Sequence, residues 1–307
     1  MNRLQKASSL SPKGYYWMLY VIPALLFYVV FMAYPLLDSM RISLFEGFSH
    51  NRTFVGLSNY IELFTDAERS ERFWNAFGNT TYFFIIHMVV QNVLGLIFAT
   101  ILTSPHMRGS AIYRTIIFIP TTFAVLVTGY LWSLLVNPIW SRGLLDAIGL
   151  PGLAQPWLGL ESTALTTVSL VSSWHWMGIP TILFIAGLQG ISEELYEAAE
   201  IEGASSWDLF WRIKLPLLKP VIGIVGVLTF VNNFNAFDIV FAMTNVNGAP
   251  SFSTDLIGTL FYRTGIAGQH PIGIPEPGMG AAIATVIFVM LAVVSFTVLK
   301  LTRTKGA

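Results

Sequence analysis

The chain has 307 residues, no cysteine, and 17 Lys and Arg balanced by 17 Asp and Glu. Hydrophobic residues make up 54% and charged residues 11%, with a mean hydropathy of +0.64, whereas soluble domains carry about 25% charged residues. This composition describes an integral membrane protein. The missing cysteine excludes disulfides and thiolate chemistry, and charge balance without a basic stripe argues against nucleic-acid binding.

An N-terminal tail, residues 1–16, carries Arg3, Lys6 and Lys13 and leads into the first predicted transmembrane helix at about 17–37. Basic residues before an apolar run could mimic a secretory signal. The run is too long and aromatic for that, no small-residue cleavage site closes it, and five more apolar runs come after it, so it reads as a retained span. An external segment, 38–79, comes next. Uncharged runs near the ~20 residues that cross the hydrocarbon core are predicted at about 80–102, 115–136, 163–188, 217–241 and 279–299, before a tail at 300–307. The fold expected is an all-α integral membrane protein with six transmembrane helices.

An even number of spans puts both termini on one side. Arg3, Lys6, Lys13, Arg108, Arg114, Arg212, Lys214, Lys219, Lys300, Arg303 and Lys305 fall on that side, and only Arg41, Arg52, Arg69, Arg72, Arg142 and Arg263 on the other. Positive-inside reasoning therefore expects cytoplasmic termini, with the connection after the fourth run also in the cytoplasm.

Polar residues inside the runs face a cavity or another helix. In the second run His87, Gln91 and Asn92 lie at i, i+4 and i+5, where they either line a path or bond neighbouring helices. The fourth run holds Trp174, His175 and Trp176. His175 reads as a hydrogen-bonded interior residue, because no second ligand stands at metal spacing. In the fifth run Asn232, Asn235 and Asp238 recur every three residues, and Phe230, Phe234, Phe237 and Phe241 form a second stripe. Amides and a carboxylate beside aromatic faces suit a sugar, and they equally suit interhelical packing. Asp238 reads as solvated at the outer mouth of its span.

Between the fourth and fifth runs lies a charged connection, 189–216, with Glu193, Glu194, Glu197, Glu200, Glu202 and Asp208. Ser192 is placed to cap a first short helix, with Ile191 and Tyr196 as a hydrophobic staple. Gly203 is placed to end it, and Ser205 with Asp208 to start a second. Pro216 and Pro220 are expected to kink the chain where the fifth run begins.

Glu197, Ala198, Ala199 and Gly203, then nine residues, then Ile213, Leu215 and Pro216, resemble the coupling loop of bacterial ABC importer permeases, the EAA loop. The resemblance implies the type I importer fold and a short helix docked on a separate ATPase. Gly56-Leu57-Ser58-Asn59-Tyr60, Trp74-Asn75-Ala76-Phe77-Gly78-Asn79-Thr80 and Phe234-Asn235-Ala236-Phe237-Asp238 resemble its carbohydrate-uptake branch, specifically the first permease of maltose-type and glycerol-phosphate-type systems. The segment Thr244 to Pro250 departs from that branch's Gly-Gly-Pro pattern, which leaves the external gate's shape open.

What the resemblance implies is a permease subunit of an ATP-driven sugar importer. Its partners would be a second homologous permease, two ATPase subunits, an external solute-binding protein and membrane lipid. The coupling residues would be Glu197, Ala198, Ala199, Gly203, Ile213, Leu215 and Pro216; the substrate-path candidates are Asn232, Asn235, Asp238, Phe234, Trp174 and Gln91. No Gly-Lys pair is present to build a phosphate-binding loop, so ATP and Mg are expected on the partner and no cofactor or metal on this chain. The alternative is an ion-coupled secondary transporter, for which paired broken helices and repeats are missing. An intramembrane enzyme built on His175 and Asp238 would lack a nucleophile or metal set.

Overall fold

A computed structural model describes residues 16–48, 51–104, 107–268 and 273–302. The basic residues Arg3, Lys6, Lys13, Arg303 and Lys305 of the two tails lie outside the described residues.

The chain is mostly helical. Helix α1, Tyr20–Ile42, is apolar all round as far as Leu37, and none of its most apolar stretch is buried by the rest of the described chain, as befits a helix that meets lipid or another subunit. A small antiparallel pair comes next, β1 Phe45–Glu46 with β2 Thr53–Phe54, Phe45 opposite Phe54. Helix α2, Ser58–Thr65, leads into α3, Ala67–Leu102, the longest helix described.

Three bent pairs succeed it. Helices α4, Ser110–Thr122, and α5, Val125–Leu135, meet at 95°. Helix α6, Pro138–Ala147, and a 3₁₀ turn at Pro151–Leu153 lie between that pair and the second, α7, Glu161–Trp176, and α8, Gly178–Gln189, bent by 46°. After α9, Glu193–Ile201, the third pair is α10, Ser206–Leu217, and α11, Lys219–Phe234, bent by 65°. The chain closes with α12, Asp238–Thr244, α13, Ile257–Tyr262, and α14, Pro277–Thr302. Helices α1, α3 and α14 are each long and apolar enough to cross a membrane, and the number reaches six if each bent pair counts as one span.

The first two bends correct the expectation of unbroken helices in the third and fourth runs, and the third falls where Pro216 and Pro220 were expected to kink the chain. At the first, Phe123 and Ala124 are extended (ψ 152 and 130), just after Pro120, whose missing N–H weakens the last turn. At the second, Gly178 lies against α4. A Cβ there would come within 2.8 Å of the Thr121 hydroxyl and 2.9 Å of the Phe118 ring, so glycine permits the crossing. At the third, Pro216 and Pro220 bracket the turn, as their missing donors require.

The fifth run also ends early. Helix α11 stops at Phe234 and α12 starts at Asp238, so Asn232, Asn235 and Asp238 do not share one helical face. Asparagine itself supplies the reason. The Asn233 and Asn235 side-chain amides donate to the Thr229 and Val231 carbonyls at 2.6 and 2.9 Å, competing with the backbone donors of a continuing helix. The phenylalanines divide likewise into two pairs, Phe230 with Phe234 (centroids 4.6 Å apart) and Phe237 with Phe241 (5.3 Å).

Packing concentrates in three clusters. Phe73, Ala76, Phe234, Ile257 and Ile283 join α3, α11, α13 and α14. Phe83, Val168, Val240 and Leu256 join α3, α7 and α12, and Ala99, Phe184, Leu188, Leu218 and Val225 join α3, α8 and α11. Helix α3 runs through all three and is the post against which the other spans are set.

Candidate coupling hairpin and membrane path

Helix α9 carries Glu193 and Glu194 in its first turn, where carboxylates favour the helix dipole. Ser192 occupies the N-cap with extended backbone (ψ 142), but its hydroxyl makes no capping hydrogen bond, contrary to expectation. Tyr196 is engaged by the Lys214 ammonium, 5.3 Å from its ring centroid, which ties α9 to α10. Burial raises the Tyr196 phenol above its ordinary pKa.

The end of α9 is a Schellman motif. Ala204 N–H donates to the Ala199 carbonyl and Gly203 N–H to that of Glu200, both at 3.0 Å, with Gly203 left-handed at φ +80. Ser205 then caps α10: its hydroxyl accepts from Asp208 N–H at 3.2 Å, and the Asp208 carboxylate accepts from Ser205 N–H. Asp208 also faces Arg212 at 3.3 Å. The Ser205 hydroxyl, then its backbone N–H, then Arg212 hold the Asp208 carboxyl below its ordinary pKa.

The two helices thus form a self-terminating hairpin. Glu197, Ala198, Gly203 and Pro216 are exposed, Ala199, Ile213 and Leu215 half-buried, and beyond its two chain neighbours no described residue comes within 4 Å of where a Gly203 Cβ would stand. Ile201, Trp207 and Trp211 are exposed beside them. The tip therefore presents small and apolar side chains with an acidic edge, and none of the described residues covers it.

Within the spans, α3 widens into a π turn at His87–Asn92. His87 bridges helices, its ring nitrogens 2.8 Å from the Phe83 carbonyl and 2.9 Å from the Ser172 hydroxyl on α7. Asn92 donates to Thr229 Oγ1 on α11 at 3.0 Å, and Gln91 donates to Asn92 Oδ1 at 3.3 Å. His175 is held by the Thr128 hydroxyl at 3.1 Å, the interior role its sequence context suggested.

Gln91 and Asn232 come together in a crevice of about 30 Å³ with Trp176, Pro180 and Thr229. Space of that size admits about one water. The Gln91 Oε1 atom is buried there without a hydrogen-bond partner among the described residues. Phe234 and Asn235 border a different, wider groove of about 640 Å³ with Phe237, Tyr262, Phe288 and Leu291. Trp174 packs edge-to-face on Trp132, centroids 5.4 Å apart, and lines neither space. Asp238 is the exposed first residue of α12. The path candidates therefore fall in separate places, with only Gln91 and Asn232, and Phe234 and Asn235, brought together.

One buried polar assembly was not anticipated from sequence. Asp255 and Arg263 form a fully buried ion pair in the connection between α12 and α14, with Thr259 Oγ1 donating to Asp255 at 2.7 Å and Arg263 also donating to the Val246 carbonyl at 3.0 Å. Their eight-residue separation across a connection gives no periodic signal. The 74–80 string docks the same connection: Asn75 and Asn79 donate to the Phe252 carbonyl at 3.0 and 3.1 Å, Asn79 to that of Asp255 at 3.0 Å, and Thr80 accepts from Ile257 N–H at 3.0 Å. Phe252 stands between the Arg72 and Arg263 guanidinium groups, 5.4 and 5.1 Å from its centroid. On the other side Asn59 donates to the Ser43 and Phe45 carbonyls, and Gly278 sits so close to the Phe45 carbonyl that no side chain fits.

Comparison with known proteins agrees with this construction. Residues 91–301 match the model of the family described as binding-protein-dependent transport system inner membrane component. The chain is 33% identical to the probable ABC transporter permease protein YurN of Bacillus subtilis, over 93% of this chain and 95% of that one. It is 32% identical to the lactose transport system permease protein LacF of Rhizobium radiobacter, over 93% and 94%. Among solved structures, a bacterial ABC transporter involved in the import of the acidic polysaccharide alginate has a chain matching with a TM-score of 0.78 at 20% identity, over 95% of this chain and 96% of that one, a likeness of fold. The chain belongs to the family of inner-membrane components of binding-protein-dependent transport systems.

Proposed function

We propose that this chain is the permease subunit of an ATP-driven importer for a sugar or sugar derivative. It works beside a second homologous permease, over two ATPase subunits that hold ATP and Mg, and it receives solute from an external binding protein. The carbohydrate class is supported by relatives such as the lactose permease LacF. Both termini and the hairpin 189–216 are assigned to the cytoplasm by the distribution of basic residues.

The observation that carries the reading is the hairpin itself: a capped, exposed tip that none of the described residues covers. Glu197, Ala198, Ala199 and Gly203 form the surface seated on the ATPase, while Ile213, Leu215 and Pro216 join that surface to α11. When the ATPases close on ATP, the hairpin moves with them. Because α10 runs into α11 through the Pro216–Pro220 bend, the motion reaches the crevice at Gln91 and Asn232 and opens it alternately to the two sides.

The test uses the absence of native cysteine. Ala198→Cys, the sole thiol of this chain, is expected to crosslink to the ATPase in the assembled transporter, with an efficiency that changes on ATP addition. Absence of any crosslink would remove the hairpin from the ATPase interface. Uptake that survives ATP depletion but collapses with the proton gradient would favour the secondary transporter instead.

A further inference from the structure

Helix α6 has an apolar face that none of the described residues covers. Asn137 caps it by accepting from Ile139 N–H at 2.9 Å, Pro138 starts it, and Gly149, left-handed at φ +76, lies just past its end. Trp140 and Leu144 form the middle of this face, with Ile139 at one margin and the C-cap residue Ile148 at the other, and the four are 71%, 63%, 84% and 58% exposed in that order. Ser141, Arg142 and Asp146 take the opposite side, with Arg142 and Asp146 4.0 Å apart one turn from each other. An isolated ten-residue helix is marginal in water, so its preformed caps point to a surface that completes it.

We infer that α6 lies in the plane of the membrane, on the leaflet opposite the coupling hairpin, with this face at the boundary between headgroups and acyl chains. Three observations choose lipid as the occupant. The face contains no charge. It continues directly from the exposed Leu131, Leu134 and Leu135 at the end of α5, a surface of apolar span. Trp140 stands near the middle of the face, and its amphipathic indole favours the interface. The α7–α8 span separates α6 from α9, which puts the two on opposite membrane faces. Helix α6 would then fix the depth of the α5–α7 connection and hold the outer ends of both spans at a set height in the bilayer.

The chain's lack of cysteine makes the test direct. Single variants Trp140→Cys, Leu144→Cys, Arg142→Cys and Asp146→Cys, spin-labelled in the full chain assembled with its partner subunits in phospholipid nanodiscs, are compared for collision with oxygen and with a water-soluble nickel chelate. Labels at 140 and 144 are expected to favour oxygen and those at 142 and 146 nickel, a reversal of sign with helical period. Nickel-dominant collision at 140 and 144 would put the helix in water. Low collision with both reagents there would put a partner protein on the face; either result overturns the proposal. Should Trp140→Cys fail to assemble, Leu144→Cys against Arg142→Cys decides alone.

Discussion

Arg263 and Asp255, each 1% exposed, meet through two charge-assisted hydrogen bonds of 3.0 and 2.6 Å and pin the connection between α12 and α14. Thr259 and the Val246 carbonyl satisfy further lone pairs and protons of the pair, which makes its burial tolerable. Removing one partner leaves a charge in a dry site.

Arg263→Ala is therefore expected to destabilise the protein by about 3–5 kcal/mol, as is Asp255→Ala. The double replacement Asp255→Leu with Arg263→Met should recover much of the loss, since no lone charge remains. Thermal unfolding in detergent, followed by size-exclusion monodispersity, reads the effect. If Arg263→Ala matched the parent, the pair would not anchor the connection.

The docking of Phe252 gives a second, graded expectation. Asn79 donates to two carbonyls of the connection and Asn75 to one. Leaving a carbonyl unsatisfied costs about 1–3 kcal/mol. Asn79→Ala should loosen residues 245–256 more than Asn75→Ala, measured as faster limited proteolysis there and faster amide exchange. Equal effects would mean that the shared Phe252 carbonyl alone matters.

The hairpin of α9 and α10 supplies the third. Gly203 is left-handed, a conformation that costs about 1–2 kcal/mol for residues with a Cβ, and a side chain there would project from the tip into the space the ATPase is proposed to fill. Gly203→Asp should leave membrane abundance unchanged while uncoupling ATP hydrolysis from uptake in proteoliposomes, and Gly203→Ala should fall between it and the parent. Normal transport by Gly203→Asp would count against the coupling role.

Apart from the Ser192 cap, whose hydrogen bond is not made, local signals in the sequence were enough for the hairpin, because its helix ends are written in short-range chemistry: Gly203, the Ser205–Asp208 box and the paired prolines each act within a turn. The apolar runs were legible for the same reason, as length and composition need no tertiary partner. The breaks at Phe123, Met177 and Asn235 were not, because the polar residues around them read equally as groups facing a cavity or a neighbouring helix. The path candidates scattered for a related cause. Three-residue spacing places Asn232, Asn235 and Asp238 together only if the helix continues, and asparagine back-bonding ends it. The Asp255–Arg263 pair depends on a fold-back of the connection that no periodicity reports.

Gln91 separates a path role from a packing role, because the two predict opposite things. Its Oε1 is buried and unbonded among the described residues, in the crevice it shares with Asn232 and sized for about one water, and its Nε2 makes only the long 3.3 Å bond to Asn92 Oδ1, so in this conformation the amide contributes little to stability. Replacing it by an apolar group of similar shape removes an unsatisfied polar atom, and Gln91→Met should match or slightly exceed the parent in thermal stability. If the crevice opens to take a solute hydroxyl, the same variant loses a hydrogen bond made to bound solute, worth about 0.5–1.5 kcal/mol. The expected outcome is a several-fold rise in KM for uptake, with the maximal rate and ATPase activity retained. Unchanged KM with unchanged stability would assign Gln91 to packing, and the solute contacts would then be sought in the wider groove at Asn235 and Tyr262.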